Sequence, residues 1–236
     1  ETVVEYFLRY GPIGGLLGML LITTVIWSVI LALTFEFSRM FKAYDYRTFF
    51  RRLLGKFWSV FEIIYLLFLL IVLAVIGSAA GIMIRDNTGI PYIIGVLLIL
   101  AAVGVLTFKG NRLIEKVFSF WSIVLYLTYA SFLAAAIVKF GPSIGNHLAS
   151  GPIHPGWALG GFKYALYNLG VIPAVFFCLR HIGTRKEAVT AGALGGLIGI
   201  IPGLLFYIAV IGQYPEVLNI EIPAVFVLQK TGLPIL

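Results

Sequence analysis

Charge and cysteine are both scarce in this chain of 236 residues. Only 11% of its residues are charged and 61% are hydrophobic, with a mean hydropathy of +1.03. A soluble core does not need so much apolar surface, so the composition predicts a polytopic membrane protein. The single cysteine, Cys178, excludes an internal disulfide. Because Glu1 is preceded by neither Met nor a signal-like segment, we expect the chain to be the interior of a longer protein.

Motifs that carry enzyme chemistry are also missing from the sequence. It contains no H-E-x-x-H, no G-x-S-x-G and no P-loop. His147 and His154 stand in a Gly- and Pro-rich stretch without Cys, Asp or Glu nearby, which favours solvated histidines over a metal site. We therefore expect no enzyme, no metal and no other cofactor. A channel would need a ring of like polar groups or a filter motif, and neither is visible in the sequence.

Six apolar stretches are long enough to cross a hydrocarbon layer of about 30 Å. They predict an all-α integral membrane protein with spans near residues 13–37, 57–82, 90–108, 113–137, 161–179 and 188–212. We expect residues 1–236 to form a single transmembrane domain. Its other predicted parts are a cytoplasmic amphipathic helix over 40–56 and an outer loop over 138–158.

The positive charges fall on alternate loops. Twelve of the 17 Lys and Arg residues lie in or next to the loops between the first and second spans, the third and fourth, and the fifth and sixth. The positive-inside rule assigns those loops to the cytoplasm, so we expect a multi-pass membrane protein. The positive charges flank membrane spans, where they meet membrane lipid. The net charge of +7 therefore reflects membrane topology and does not indicate nucleic-acid binding. The sequence does not indicate an oligomeric state.

The fifth span, 161–179, carries the most unusual residues. Asn168, Gly170 and Pro173 coincide at its centre, and Pro173 has no N–H to offer the carbonyl of Leu169. Irregular backbone at this depth is tolerated only where it is buried in protein or lines a cavity. We therefore predict an interruption between about Tyr167 and Val171. It is either a binding site or a proline kink whose amide is satisfied by a neighbouring helix.

A short internal repeat is also visible. Residues 7–11 followed by a Gly-rich string at 14–18 have a counterpart in residues 178–181 followed by a similar string at 195–199. Five spans separate the two copies, so the second copy crosses the membrane in the opposite direction. This predicts an inverted-topology repeat, although Gly-Leu strings also match by chance.

Several short motifs resemble a known family. Phe7, Arg9, Tyr10 and Gly11 near the start, the basic loop after the first span, Tyr167-Asn168, and Glu221-Ile222-Pro223-Ala224 are similar to the bacterial YkvI-type membrane proteins. These proteins belong with the LeuT and amino acid-polyamine-organocation group. The resemblance implies a LeuT-like inverted-repeat fold in which residues 1–11 are the outer half of the first helix and the six spans are helices two to seven. It also implies an outer loop helix over 216–232, further helices after Leu236 and a location in the bacterial inner membrane. The transmembrane domain is therefore expected to be incomplete at both ends.

The residues and the resemblance together suggest a substrate site. Asn168 and Gly170 are the first candidates, with Tyr164 and Tyr167 as aromatic walls. The remaining candidates are Ser78, beside Gly77 and Gly81, then Tyr126 and Tyr129 on a polar face of the fourth span, and Glu1 as partner of a substrate amine or cation. Helix packing is the competing interpretation of the tyrosines and of the small-residue face at Ser78.

Ion pairs and a second proline complete the sequence interpretation. Glu36 near Arg39 and Glu62 near Lys56 favour interfacial ion pairs over a proton relay. Pro202 in the last span frees the carbonyl of Ile198 and predicts a kink.

The expected function is secondary active transport of a small solute, an amino acid or an amine-like molecule. Transport would proceed by alternating access and be coupled to a sodium or proton gradient. The alternative is a non-transporting structural or regulatory subunit with a transporter-like fold.

Single-cysteine labelling tests the predicted topology. In a Cys178-free background, an impermeant maleimide added from outside is expected to label position 147 and to spare position 47, because basic loops stay inside. Labelling at position 47 with none at 147 would overturn the assignment.

Overall fold

The computed structural model describes residues 2–220 and 222–231, and its ordered elements there are all helical, with no strand. Within these ranges ten α-helices follow one another: α1 (Thr2–Tyr6), α2 (Pro12–Leu17), α3 (Thr24–Phe41), α4 (Tyr46–Leu54), α5 (Trp58–Thr88), α6 (Tyr92–Lys109), α7 (Asn111–Ser150), α8 (Trp157–Leu169), α9 (Arg185–Ile211) and α10 (Pro223–Thr231). Short 3-10 helices cover Leu8–Tyr10, Gly55–Phe57, Ile172–His181 and Glu216–Asn219. A π-helical segment, Gly18–Thr23, joins α2 to α3.

The prediction of a multi-pass membrane protein is confirmed by helix length and hydropathy. Five helices of the described chain are long and apolar enough to cross a membrane. The count reaches six when α8 and the 3-10 helix after it, which meet at 56°, form one broken span. Each of these six lies over a predicted span.

The helices form two compact units. The first comprises the residues up to Tyr46 together with those from Ile123 onward, and the second is Arg47–Ser122. In the first unit, α9 packs antiparallel to α3 through small residues. A methyl group added at Gly192 would collide with the backbone of Ala32, and one added at Gly196 would collide with Ser28. Small residues four apart on both helices thus let the two backbones approach closely.

Helix α8 lies on the other side of the same α2–α3 segment and runs parallel to it. Thr23 donates through Oγ1 to the carbonyl of Gly161 over 2.9 Å, and Trp27 donates through Nε1 to the carbonyl of Ala165 over 3.2 Å. The residue numbers of the contacting positions therefore increase together along both segments, as they do in parallel helices. The directions of these three spans agree with the predicted alternation, in which the first and fifth spans are parallel and the sixth is opposite.

The second unit is built on the α5–α6 hairpin, which turns at Gly89 with a φ of 73°. Gly81 and Gly95 face each other across it, since a methyl group at Gly95 would lie 3.2 Å from the Cα of Gly81. The small-residue face predicted in the second span therefore serves helix packing, as the competing interpretation proposed.

The outer loop predicted over 138–158 is wrong for most of its length. Helix α7 continues through Pro142 to Ser150, so only residues 151–156 connect it to α8. Glycine and proline lower the hydropathy there without ending the helix, because tertiary contacts hold it. Ser143, for example, donates through Oγ to the carbonyl of Gly212 over 2.8 Å.

Smaller differences concern the amphipathic helix and the ion pairs. The helix predicted over 40–56 is shorter, since α3 extends to Phe41 and α4 covers Tyr46–Leu54. The pair of Glu36 with Arg39 is confirmed and is bidentate, at 2.7 and 2.8 Å. Glu62 pairs with Arg47 at 3.3 Å rather than with Lys56, because α4 folds back over the start of α5.

The glycine contact between α3 and α9 is testable with two matched variants on one helix. Gly196→Ala is expected to destabilise the protein by about 1–3 kcal/mol relative to Gly199→Ala, because it overpacks backbone against backbone. At Gly199 the new methyl would lie an ordinary 3.6 Å from the Trp27 ring. Both changes add the same helix propensity, so the difference in melting temperature reports packing alone. Equal melting temperatures for the two variants would contradict this packing.

Candidate functional site

The interruption predicted in the fifth span is confirmed. Helix α8 ends at Leu169, and the chain continues as a 3-10 helix from Ile172 with Pro173 in its first turn. Backbone N–H groups across the break reach back only three residues: Val171 donates to Asn168 over 3.1 Å, and Ala174 donates to Val171 over 2.9 Å. A proline that cannot donate and a glycine without a side chain explain the change of helix type.

An aromatic cluster lies one to two turns before this break. The Tyr164 ring has its centroid 4.7 Å from that of Phe7, 5.8 Å from that of Trp27 and 6.0 Å from that of Tyr6. Tyr164 is half-buried, so the structure brings it against the α1–α3 segment as an aromatic wall. The packing interpretation of Tyr164 is confirmed, and a ligand contact there stays a prediction.

Asn168 lies one turn after Tyr164 on α8 and is half-buried. Its Nδ2 donates to the carbonyl of Tyr164 over 2.9 Å, within the same helix. A primary amide has two hydrogens and an oxygen, so this bond uses part of its capacity. Gly170 follows in the break itself, also half-buried, whereas Tyr167 is 59% exposed and turns away from the cluster.

Donors from the first unit's other helices satisfy carbonyls of α8 ahead of the break. These donors are Thr23 and Trp27, which bind the carbonyls of Gly161 and Ala165. Sequence reasoning missed both residues. The signal that could have found Trp27 is its indole N–H, which needs a partner inside an apolar span.

The segment opposite α8 has its own irregularity, which sequence reasoning also missed. The π-helical turn Gly18–Thr23 widens the helix, and Thr24 donates through Oγ1 to the carbonyl of Met19 over 2.8 Å. Gly18 and Thr23 of this turn contact α8 at Gly161. Single π turns of this kind are common at functional sites.

Tyr207 is a third residue that the sequence did not single out. Its side chain is fully buried, and its hydroxyl lies 2.6 Å from the carbonyl oxygen of Pro12 and 3.3 Å from that of Gly11. Gly11 has a φ of 86° and forms the turn before α2. Tyr207 therefore holds the turn that joins the helical residues 2–10 to α2.

The two tyrosine candidates of α7 pack against α9. Tyr126 donates its hydroxyl to the carbonyl of Ile198 over 3.1 Å, and this is the carbonyl that Pro202 leaves without its usual N–H donor. Tyr129 lies with its ring centroid 6.0 Å from that of Phe206. Both residues therefore contact α9, and a ligand contact for either stays a prediction.

The other candidates from the sequence are Ser78 and Glu1, with two histidines expected to be solvated. Ser78 belongs to the second unit, where Tyr92 donates its hydroxyl to the Ser78 Oγ over 3.1 Å. Glu1 lies outside the described residues. His154 is exposed as expected, with Nε2 3.3 Å from the Tyr214 hydroxyl, while His147 is half-buried with its ring against Tyr214. Among the described residues no group of three or more metal-type ligands occurs.

The Tyr126 bond is testable through a double-mutant cycle with Pro202. Tyr126→Phe is expected to cost about 0.5–1.5 kcal/mol of stability, because it leaves a carbonyl unpaired in the membrane. In a Pro202→Ala background the new N–H serves Ile198, and the same change is expected to cost nothing. Tyr129→Phe is the control, since the Tyr129 hydroxyl has no hydrogen bond within the described chain. An equal loss of melting temperature in both backgrounds would contradict the capping role.

Comparison with known proteins adds no relative. The chain matches no protein-family model, and no significant match was found among curated proteins or solved structures. The assignment of function therefore depends on the geometry of the first unit.

Proposed function

We propose that the chain forms part of a secondary active transporter of the bacterial inner membrane that carries a small solute, an amino acid or an amine-like molecule. The solute binds beside the α8 break, and a sodium or proton gradient drives alternating access. The observation that carries this proposal is the interruption at residues 170–171 next to the half-buried Asn168 and the Tyr164 aromatic cluster.

The chemistry of the break suits a small polar solute. The last carbonyls of an α-helix have no intrahelical donors, so the end of α8 presents partial negative charge to an amine or a cation. The start of the following 3-10 helix carries the positive end of its dipole, which favours a carboxylate. Asn168 adds an amide, and the aromatic rings of Tyr164 and Trp27 suit an apolar or aminated side chain.

The arrangement of the first unit supports a transporter-like repeat. Helix α9 runs antiparallel to α2–α3, and α1 lies beside α8 through the Tyr6 and Phe7 contacts with Tyr164. In an inverted repeat, the first and second copies cross the membrane in opposite directions and meet near the midplane. This antiparallel packing has the direction that the proposed repeat requires.

The second candidate is a structural or regulatory subunit without transport. The observation that favours it is that polar side chains near the irregular segments bond to the protein's own carbonyls. Asn168 bonds to Tyr164, Trp27 bonds to Ala165, and Tyr126 bonds to Ile198. A proline kink with partners of this kind can form without a ligand.

The two candidates differ in what Asn168→Ala does to the purified protein. We expect the affinity for the solute to fall roughly tenfold to a hundredfold, the effect of about 1–3 kcal/mol from leaving a ligand's polar group unpaired in a dry site. Stability is expected to change little, because Ala is the better helix former. The probe is whichever amino acid, amine or cation gives the largest thermal shift in a screen of all three classes.

Two control variants make the outcome specific. Asn146→Ala, at an exposed position of α7, is expected to change neither affinity nor stability. Thr23→Val removes the bond to Gly161 and is expected to lower the melting temperature while sparing affinity. Unchanged affinity in Asn168→Ala, or the absence of any stabilising solute, would favour the subunit and remove the site.

A further inference from the structure

A second surface of the molecule, at the start of α5, combines exposed positive charge with exposed apolar side chains. Helix α4 carries Arg51 and Arg52, and Lys56 follows in the 3-10 helix that leads into α5. All three side chains are exposed. We call these three residues the basic cluster.

The position of α4 is fixed by contacts with α5. The rings of Phe50 and Phe61 stack with their centroids 4.3 Å apart, and Arg47 pairs with Glu62 at 3.3 Å. An aromatic series continues along α5, with Phe61 stacked on Tyr65 at 5.7 Å. Helix α4 is thus held against the first turns of an apolar helix of 31 residues. This contact places the basic cluster at the start of a helix that is long and apolar enough to cross a membrane.

The basic cluster has no acidic partner among the described residues. Glu62, the acid on the adjacent turns of α5, is already paired with Arg47. Three uncompensated charges close together repel one another unless an anion lies near them. Beside them Leu53 is 52% exposed and Phe57 is 75% exposed, so apolar groups flank the charges. An amphipathic helix with basic and apolar side chains of this kind suits a lipid interface.

We infer that the basic cluster, with Leu53 and Phe57, binds the headgroup and upper acyl chains of anionic phospholipid. The guanidinium groups of Arg51 and Arg52 offer paired donors that match a phosphate, and Lys56 adds a point charge. Leu53 and Phe57 contact the acyl chains just below the headgroups. The site takes anionic lipid in preference to zwitterionic lipid of the same chain length, and it is independent of the proposed transport function.

A local fluorescence measurement tests this inference. In the whole protein with Cys178→Ser, a fluorophore is attached at Leu53→Cys, and the protein is placed in vesicles of phosphatidylglycerol and phosphatidylcholine at equal mole fraction. One lipid at a time carries brominated acyl chains, which quench nearby fluorophores. Quenching by brominated phosphatidylglycerol is expected to exceed that by brominated phosphatidylcholine by about fivefold, the factor that one basic residue contributes near an anionic surface.

A second probe position and two sets of variants complete the design. A fluorophore at Leu98→Cys, equally exposed at 52% but in the middle of α6, is expected to show no preference. The triple change Arg51→Gln, Arg52→Gln and Lys56→Gln is expected to abolish the preference at Leu53. The charge-matched triple change Lys109→Gln, Lys116→Gln and Arg180→Gln is expected to keep it, since those exposed side chains lie in other segments.

Repeating the quenching measurement at several salt concentrations, with the basic cluster intact, tests the inference without any charge variant. Raising the ionic strength to a Debye length of about 3 Å is expected to remove most of the preference, because exposed charges are screened. Equal quenching by the two lipids at low salt overturns the inference. So does a preference that survives the triple change at the basic cluster.

Discussion

Backbone polar groups within the bilayer must find partners inside the protein, and the first unit depends on this constraint. Each break in its helices is accompanied by a side-chain donor from a neighbouring helix. Trp27 serves α8 one turn before its end, Tyr126 serves the carbonyl below Pro202, and Tyr207 serves the turn at Gly11. The bonds of Tyr126 and Tyr207 make irregular backbone compatible with the membrane, and that of Trp27 holds α8 in place just before its break.

Close glycine contacts make those bonds possible. Gly192 and Gly196 bring α9 against α3, which lets Ser28 donate through Oγ to the carbonyl of Ala193 over 3.0 Å. Gly161 brings α8 against the π turn, where Thr23 reaches its carbonyl. Small residues in apolar helices therefore position the donors as well as the backbones.

Hydropathy and proline chemistry predicted the six spans and the break in α8, because both signals are local. They did not predict the continuation of α7 to Ser150, since a helix with Pro142 is held by distant contacts such as Ser143 with Gly212. Of the candidate site, Asn168, Gly170 and Tyr164 lie at or next to the break as expected. The partners of Trp27, Thr23 and Tyr207 could not be found from sequence, because they are at least 138 residues away. The role of Tyr126 followed from Pro202 only once both helices were placed.

The central claim is that the α8 break takes a solute and is more than a satisfied kink. Hydrogen–deuterium exchange of the backbone amides around residues 170–176 tests it most directly, with and without the amino acid, amine or cation that stabilises the protein most. Amides at the break are expected to gain about tenfold protection with that solute, equivalent to about 1.4 kcal/mol of local stabilisation, while those of α6 do not change. Unchanged exchange at the break, in a protein whose melting temperature rises with the solute, would place the binding site elsewhere and contradict the account.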